Sequence, residues 1–406
     1  MHDAVIVSAV RSPIGRARKG SLAGLRADEL AAQIIRAALD EVPVLDPHDL
    51  DDLLLGCGLP SGEQGYNLAR TVAVRLGYDA LPGATVTRFC ASSLQSTRMA
   101  FHSIRAGEST AVISAGVESV SRFGLHNDAD SSPATRNPYF ASAEQRTAER
   151  AAAWTDWTDP RSVGGIPDAY VDMGQTAENV ASMTGIGRVE QDRWATRSQQ
   201  RTQEHIATGH YAREITPVTL PDGTIVTQDD SPRAGTTTEV LAGLDPVFRE
   251  GGSVTAGNSC PLNDGAAALV IMSASRARDL GLTPLARIVS TAVSALSPEI
   301  MGLGPVEASR RALALAGLSV GDIDLFEINE AFAVQVLASA QELGIDEDRL
   351  NVAGGAIALG HPFGMTGARM SVSLLNNLRA NDSTLGLETM CIGGGQGMAM
   401  VLERLS

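Results

Sequence analysis

Cys90 occupies a position in the 406-residue chain that suits a nucleophile. It lies in the run TRFCASSLQ (87–95), where a short apolar strand pattern ends and a helical pattern begins. The first turn of a helix offers free N–H groups and positive potential, which lower the pKa of a thiol and favour the thiolate. The sequence therefore predicts a thiol poised for covalent catalysis. A small cysteine buried in the core is the alternative interpretation.

His361 is the histidine best placed to act as a base. Of the seven histidines, it alone sits in a loop framed by glycine and proline, GHPFGMTG (360–367), directly before a predicted helix. Imidazole is the usual base near neutral pH, and the flanking glycines indicate a tight loop that holds the ring in place. A structural histidine with satisfied hydrogen bonds is the alternative.

Two further motifs stand at the ends of predicted strands. Cys391 opens CIGGGQG (391–397), whose backbone N–H groups could converge into an oxyanion hole. Such a loop could equally hold phosphate, although it lacks the G-K-[ST] ending of a P-loop. Asn329, in EINEAFA (327–333), could fix a water molecule, donate to an oxyanion or cap a helix. The four motifs together are far more specific than any one of them.

Charge and cysteine content argue against several other classes of protein. The formal net charge is −15 and no cluster of Lys and Arg stands out, so a nucleic-acid partner is not expected. An anionic ligand would need a local cationic patch against this overall charge. No C-x-x-C pair occurs, so zinc and thioredoxin-like redox chemistry are poorly supported and no metal site is predicted. The four cysteines are Cys57, Cys90, Cys260 and Cys391.

The ends of the chain and its hydropathy suggest where the protein works. The first residues lack the basic flank and long apolar run of a signal peptide, and the last three are not a peroxisomal address. No apolar stretch of about 20 residues could span a bilayer. Since scattered cysteines are typical of a reducing compartment, we expect a cytoplasmic protein without a membrane span.

Alternating strand and helix patterns predict an α/β layer structure. In the first part the strands are 4–10, 84–87 and 110–116, and the helices are 28–40, with Asp28 as N-cap, and 92–106. The C-terminal part repeats the order at an offset of roughly 275 residues, which indicates two similar halves. Its elements are the strands 286–293 and 322–329, the second resembling 49–56, and the helices 306–318 and 366–379. Residues from about 121 to 251 lack this alternation, which indicates an inserted subdomain or a long excursion over the surface.

These motifs resemble those of thiolases, the acetyl-CoA acetyltransferases and 3-ketoacyl-CoA thiolases. The family's nucleophile segment is matched by FCASSLQ, and its N-E-A-F, G-H-P-x-G-x-T-G and C-x-G-G-G-x-G motifs by residues 329–332, 360–367 and 391–397. Further matches are GVESVS (116–121), DMGQTAEN (172–179) and TAGN (255–258) with NDGAA (263–267). The resemblance therefore covers essentially the whole chain.

The resemblance implies a fold and an organisation into domains. The expected thiolase fold has two pseudo-repeated βαβαβαββ halves in a layered α-β-α-β-α arrangement, each with a five-stranded sheet, plus an inserted loop domain. Residues 1–120 with 252–275 would form the N-terminal half and 276–406 the C-terminal half. Residues 121–251 would be the loop domain that binds coenzyme A.

The resemblance also assigns roles in the chemistry. Cys90 would be the nucleophile that carries the acyl group, and His361 would take its proton and help to form an oxyanion hole. Cys391 would be the acid and base at the α-carbon, and Asn329 would position the water of that hole. The N–H groups of Cys90 and Gly393 would form a second hole for the acyl-enzyme step.

The ligands implied are acyl-CoA thioesters and free coenzyme A as substrates, with no tightly bound cofactor. The reaction would be thiolytic cleavage of 3-ketoacyl-CoA or the reverse Claisen condensation, as in β-oxidation and other lipid metabolism. A homodimer or homotetramer is expected. Seven residues would line the coenzyme A site by the same resemblance, with Arg233 supplying local positive charge: Met173, Arg233, Val247, Phe248, Cys260, Ala331 and Phe332.

The chain departs from the family pattern at three positions. Ser93 stands where glycine is usual, so the packing behind Cys90 differs from the usual one. Cys260 replaces a serine that contacts the pantetheine arm, which weakens a hydrogen bond. Asp172 replaces a histidine of many acetoacetyl-type members and favours a broader 3-ketoacyl substrate, although Met301 keeps the common pattern.

Other functions remain open at this level. An acetoacetyl-CoA-specific biosynthetic thiolase and a non-catalytic acyl-CoA-binding scaffold with the same fold are the alternatives. A ketoacyl synthase pairs its cysteine with two histidines, and thiolases of the sterol-carrier-protein type usually carry a histidine in the N-E-A-F segment. Asn329 and Cys391 favour the thiolase set over both.

Overall fold

The computed structural model describes residues 2–123, 135–152 and 155–406. Nearly all of its strands join one large mixed sheet, and helices cover both faces of that sheet. The strands are β1 Ala4–Arg11, β2 Gly15–Arg16, β3 Asp52–Gly56, β4 Gly83–Val86, β5 Ala111–Ser119, β6 Val218–Thr219, β7 Ile225–Val226, β8 Asn263–Ser273, β9 Ala286–Ala295, β10 Leu325–Ile328, β11 Leu385–Ile392 and β12 Gln396–Arg404. The helices are α1 Ala27–Asp40, α2 Leu68–Arg75, α3 Ser92–Ala106, α4 Val120–Phe123, α5 Ala141–Ala152, α6 Met173–Thr184, α7 Arg188–Ala207, α8 Thr238–Ala242, α9 Ala274–Asp279, α10 Gly304–Ala316, α11 Ala333–Leu343, α12 Ala356–Leu359 and α13 Thr366–Ala380.

Two halves with the same strand order share this sheet. The first half runs β4-β3-β5-β8-β1 and the second runs β10-β11-β12-β9. In each, the strands nearest the outer edge are parallel and the remaining pairs are antiparallel. A parallel bridge from Phe326 to Leu350 stands where β4 pairs in the first half. The predicted repeat is confirmed, and a short β1–β9 contact joins its two halves.

Five layers follow from the way the helices cover the sheets. Helices α1 and α2 pack on the outer face of the first half, and α10 and α11 pack on the outer face of the second. Helices α3 and α13 lie side by side between the two halves of the sheet, in a third buried cluster. The predicted α-β-α-β-α arrangement is confirmed, and it places the N-termini of both central helices in the middle of the molecule.

One expectation about a helix end is wrong. Helix α1 begins at Ala27, with Arg26 in the extended N-cap position, so Asp28 lies inside the first turn rather than at the cap. Its carboxylate still suits the positive end of the helix, and it accepts a 2.7 Å hydrogen bond from Arg26.

The segment 121–251 contributes α5 to α8 and a separate hairpin of β6 and β7, and none of its described strands joins the large sheet. It is tied to the second half by buried Glu299, which accepts hydrogen bonds from Arg146 at 2.5 Å and from Trp157 at 2.8 Å. Within the described ranges, no helix combines the length and the apolar character that crossing a membrane requires.

Candidate active site

Cys90 sits in a strained turn between β4 and α3. The preceding residue, Phe89, has φ +44°, a conformation that costs a non-glycine residue about 1–3 kcal/mol. The N–H groups of Gly393 and of Cys90 itself point at the sulfur and lower the pKa of the thiol, but burial outweighs them and raises it to about 11. The predicted lowering of this pKa is therefore wrong, because the thiolate loses more hydration on burial than two N–H groups restore.

His361 is buried and held in one tautomer. Its Nδ1 lies 2.7 Å from the Thr366 hydroxyl, which itself donates to the carbonyl of Pro362 at 2.7 Å. The hydroxyl must therefore accept from Nδ1–H, which leaves the lone pair on Nε2. Burial, and then the charge of Arg369, lower the pKa of the imidazole to about 3, so the ring is neutral.

Asn329 faces the free nitrogen of this ring. Its Nδ2 lies 3.4 Å from His361 Nε2, and its backbone N–H donates to the carbonyl of Thr389 at 3.0 Å. Its side-chain oxygen is buried and has no hydrogen-bond partner in the described part of the chain. A buried amide oxygen in this state needs a hydrogen-bond donor, such as a water molecule or a donor group of a ligand.

Cys391 lies near the end of β11 and is fully buried. Burial raises the pKa of its thiol well above the usual range, and the charges of Cys90 and Cys260 raise it further. Because such influence acts over short distances, Cys90, Cys260 and Cys391 lie near one another. The turn after the strand contains Gly394 and Gly395, whose φ values of +78° and +76° favour glycine, and it follows directly on Gly393.

A cavity gives a ligand access to the sulfur of Cys90. It has a volume of about 490 Å³ and joins a second cavity of about 970 Å³, with which it shares the walls at Phe89 and Met173. Cys90 and Gly393 line the smaller cavity, together with Phe363 of the histidine loop. His361, Asn329 and Cys391 lie behind this surface, each 1% exposed or less.

The residues expected at the coenzyme A site fall into two groups. Met173 lines both cavities, the Phe248 and Phe332 rings meet edge to face with centroids 6.0 Å apart, and the Cys260 N–H donates to the carbonyl of Ala331 at 3.0 Å. Val247 is 56% exposed. Arg233 lies apart, in a groove of about 580 Å³ formed with α7 residues.

Several positioning residues were not singled out from the sequence. Thr366 fixes the tautomer of His361, and Asn263 accepts the backbone N–H of His361 at 3.0 Å. Buried Glu118 accepts N–H groups from Gly58 at 2.7 Å and from Gly364 at 2.8 Å, which ties the cavity wall to the histidine loop. All three lie inside motifs that the sequence shows, but only the spatial contact between motifs reveals what they do.

No group of three or more His, Cys, Asp or Glu residues able to hold a metal ion occurs in the ranges that the structure covers.

Comparison with known proteins places this chain and its fold among the thiolases. The family model for the thiolase N-terminal domain matches residues 4–275, and the model for the C-terminal domain matches residues 282–404. The chain belongs to the thiolase family. It is an enzyme that transfers acyl groups to and from coenzyme A thioesters.

Curated relatives and solved structures match over the full length. A 3-ketoacyl-CoA thiolase of Bacillus subtilis is 41% identical over 99% of this chain and 100% of the relative. An acetyl-CoA acetyltransferase and a beta-ketoadipyl-CoA thiolase of Escherichia coli are each 43% identical over the whole of both chains. The crystal structure of the Bacillus anthracis acetyl-CoA acetyltransferase is 38% identical and superposes with a TM-score of 0.85, covering 100% of this chain and 99% of that one.

Proposed function

We propose that this enzyme cleaves 3-ketoacyl-CoA with coenzyme A, or runs the reverse condensation, through an acyl group carried on Cys90. One observation carries the proposal: Cys90 and Gly393 line one cavity with Phe363, and the neutral imidazole that packs 5.3 Å from the Phe363 ring keeps its lone pair on Nε2. A thiol, a base and oxyanion donors then act on one substrate carbonyl.

Two proton carriers act in the proposed cycle, His361 on Cys90 and Cys391 on the enolate and on coenzyme A. His361 Nε2 takes the proton of Cys90, and the sulfur attacks the 3-keto carbon of the substrate. The bond between the α- and β-carbons breaks, leaving an acyl thioester on Cys90 and the enolate of acetyl-CoA. Cys391 protonates the enolate, and its thiolate then removes the proton of the incoming coenzyme A, whose sulfur takes the acyl group. The proton held by His361 returns to Cys90.

Two sets of donors would stabilise the negative charge that develops on oxygen. The N–H groups of Cys90 and Gly393 would serve the acyl carbonyl on Cys90. His361 and a water held by Asn329 would serve the thioester oxygen of the acetyl-CoA enolate. Oxyanion donors of this kind are worth about 10²–10³ in rate for each one removed.

The substrate proposed is a 3-ketoacyl-CoA of broad chain length, as used in fatty-acid metabolism and β-oxidation. Asp172 supports it, because many acetoacetyl-type members carry histidine there, and relatives named for 3-ketoacyl and beta-ketoadipyl substrates agree with it. Specificity for acetoacetyl-CoA is the second candidate, favoured by Met301 and by the relatives named acetyl-CoA acetyltransferase. A panel of 3-ketoacyl-CoAs from four carbons to long and branched chains separates the two.

The loop domain 121–251 would hold coenzyme A, with Met173, Phe248, Cys260, Ala331 and Phe332 along the pantetheine arm. Val247 and Arg233 would lie towards the nucleotide end, since both are exposed. We further propose a homodimer or homotetramer in the cytoplasm, where the four free cysteines would stay reduced.

The test follows the acyl group as well as turnover. The wild-type enzyme with acetoacetyl-CoA and coenzyme A should consume the Mg²⁺-enolate absorbance, and intact mass spectrometry should show one acyl adduct. Cys90→Ser should lose the adduct and at least about a thousandfold in kcat. Cys391→Ala should still accept an acyl group on Cys90 but fail to exchange the α-proton. Full activity in Cys90→Ser, or binding without any adduct in the wild type, would refute the mechanism.

A further inference from the structure

Ser93 joins the two central helices through a side-chain hydrogen bond. It is fully buried, three residues after Cys90, and its hydroxyl accepts the backbone N–H of Ala368 at 2.9 Å. The donor and acceptor are 275 residues apart in the chain, one on α13 and one on α3. This is the position where the thiolase pattern usually has glycine, so the contact is a property of this chain's own side chain.

Helix α13 needs this hydroxyl because it has no cap of its own. The N–H groups of the first helical turn have no partner within the helix. The N-cap residue, Met365, has helical φ and ψ and makes no side-chain cap hydrogen bond. The Thr366 hydroxyl bonds Pro362 and His361, and the N–H of Thr366 donates to the carbonyl of Pro362 at 3.0 Å. Ser93 therefore caps α13 from the neighbouring helix.

Close packing fixes Ser93 where it can do this. Gly56 and Gly116 are paired in register on β3 and β5, directly under the start of α3. A Cβ on Gly56 would lie 2.3 Å from the Ser93 nitrogen, and one on Gly116 would lie 2.5 Å from the Ser93 Cβ. Above it, a Cβ on Gly367 would lie 2.4 Å from the backbone nitrogen of Leu94. The serine is thus held between a sheet surface and the first turn of α13.

We infer that Ser93 is a positioning residue that fixes the imidazole of His361 relative to the thiol of Cys90. The inference rests on the proposed acyl-Cys90 mechanism. The path is short: Ser93 holds the first turn of α13, that turn carries Thr366, and Thr366 holds Nδ1 of His361. The same turn of chain around Ser93 carries Cys90, so one side chain sets both partners of the proton transfer.

Removal of the hydroxyl leaves a buried N–H without an acceptor. The first turn of α13 can then shift or admit water, and the imidazole loses the fixed hydroxyl that keeps its Nε2 unprotonated. Acylation of Cys90 needs the proton transfer, whereas the walls that bind coenzyme A lie elsewhere. The rate constant of acylation should therefore fall while substrate binding is preserved.

Ser93→Ala is the main test, with Ser96→Ala as its matched control. Ser96 is a buried serine one turn further along α3, and its hydroxyl donates to the carbonyl of Ser92 in its own helix at 3.1 Å. We expect Ser93→Ala to lower kcat and the acylation rate about tenfold or more, with KM changed by less than about twofold. Ser96→Ala should keep the wild-type kcat. Equal effects of the two substitutions, or a loss confined to KM, would overturn the inference.

A double-mutant cycle separates positioning from general loss of stability. Thr366→Val removes the hydroxyl that Ser93 is inferred to place. If Ser93 acts through Thr366, the double variant should have the kcat of Thr366→Val alone, whereas independent effects would multiply. Multiplied effects would overturn the inference.

Two controls distinguish misfolding, and failure of the proposed function, from failure of the inference. If Ser93→Ala does not fold, Ser93→Gly removes the same acceptor while placing the residue usual for the family, and the same kcat loss is expected from it. A wild-type enzyme without turnover or adduct would overturn the proposed function and this inference with it. A normal wild-type enzyme beside an unaffected Ser93→Gly would overturn the inference alone.

Discussion

Burial keeps both Cys90 and His361 uncharged near neutral pH. The pKa of the thiol is raised to about 11 and that of the imidazole is lowered to about 3. Between these pH values the thiol keeps its proton and the imidazole is neutral. The two groups therefore differ from a thiolate–imidazolium pair, and we expect the thiolate to form only as the substrate binds.

The neutral pair predicts how Cys90 reacts with iodoacetamide. Since only the thiolate reacts and its pKa lies near 11, the alkylation rate should climb about tenfold for each pH unit from pH 6 to pH 10. Peptide mapping identifies the modified cysteine, and Cys90→Ser provides the blank. A rate that is already level between pH 5 and pH 8 would show an ion pair in the resting enzyme and contradict this account.

Helices α3 and α13 pack closely at Gly367. Gly367 in the first turn of α13 approaches α3 so closely that an added Cβ would lie 2.4 Å from a backbone atom of Leu94. Gly367→Ala should lower the free energy of unfolding by about 1–3 kcal/mol, because backbone cannot yield as a flexible side chain can. Urea unfolding measures it.

Gly24→Ala is the matched control for this substitution. Gly24 has open space around its Cβ position and a φ that alanine can adopt. We expect its free energy of unfolding to change by at most about 1 kcal/mol, in the stabilising direction. Equal losses in the two variants would mean that the crossing of α3 and α13 is not the tight point.

Strand β11 carries a buried acid that makes stability depend on pH. Glu388 accepts a 2.7 Å hydrogen bond from Ser371 of α13, and its second oxygen has no partner among the described residues. Burial raises the pKa of this carboxyl from 4.5 to about 8. A raised pKa means that the folded state favours the protonated carboxyl. The contribution of Glu388 to the free energy of unfolding is therefore complete below pH 4.5 and is lost as the pH rises through 8.

Glu388→Gln should remove that loss. The neutral amide resembles the protonated acid, so the variant should be more stable than the wild type at pH 8.5 by a few kcal/mol, at about 1.4 kcal/mol per pKa unit, and similar to it at pH 5. Unfolding in urea at both pH values measures this. Glu403→Gln on the neighbouring strand removes a partly exposed ion pair with Arg287 and should leave the pH dependence as it is. An unchanged pH dependence in Glu388→Gln would place the titrating group elsewhere.

The sequence predicts helices and strands whose position depends on the local pattern of apolar residues. Apolar runs identify β1, β5 and β9, and the helix 92–106 coincides with α3. What the pattern cannot supply is contact between distant segments. The cap that Ser93 provides, the tautomer that Thr366 enforces and the raised pKa of Cys90 each depend on burial beside residues hundreds of positions away. Side-chain identities give the candidates for chemistry, and packing decides their charge states.

In the whole molecule, repetition is what the sequence predicts best. The repeat offset of roughly 275 residues is confirmed by corresponding strands and central helices, because each half must bury the same kind of sheet face. The β1–β9 contact that joins the halves into one sheet was not expected, since only two residue pairs form it. The division into domains at 120, 251 and 275 remains a prediction.

One edge of the molecule is open for association. Strand β4 ends the strand order and has no outer neighbour among the described residues. Beside it, Asn67 accepts the N–H of Thr85 at 3.1 Å, and the adjacent Tyr66 is 98% exposed, while Phe89 beyond the strand is 48% exposed. An open strand with exposed aromatic groups is a surface that proteins normally cover. We expect a second copy of this chain to cover it.

Tyr66→Glu should weaken that association. Light scattering of the wild type should give a multiple of 42.4 kDa. A glutamate at Tyr66 would have to be buried in the interface without a partner, so the concentration at half dissociation should rise at least about tenfold. Leu315→Glu provides the control, since Leu315 is an equally apolar residue, 71% exposed on α10 in the outer layer of the other half. A wild type that stays at 42.4 kDa, or equal weakening by both substitutions, would show that β4 is not the surface through which the enzyme assembles.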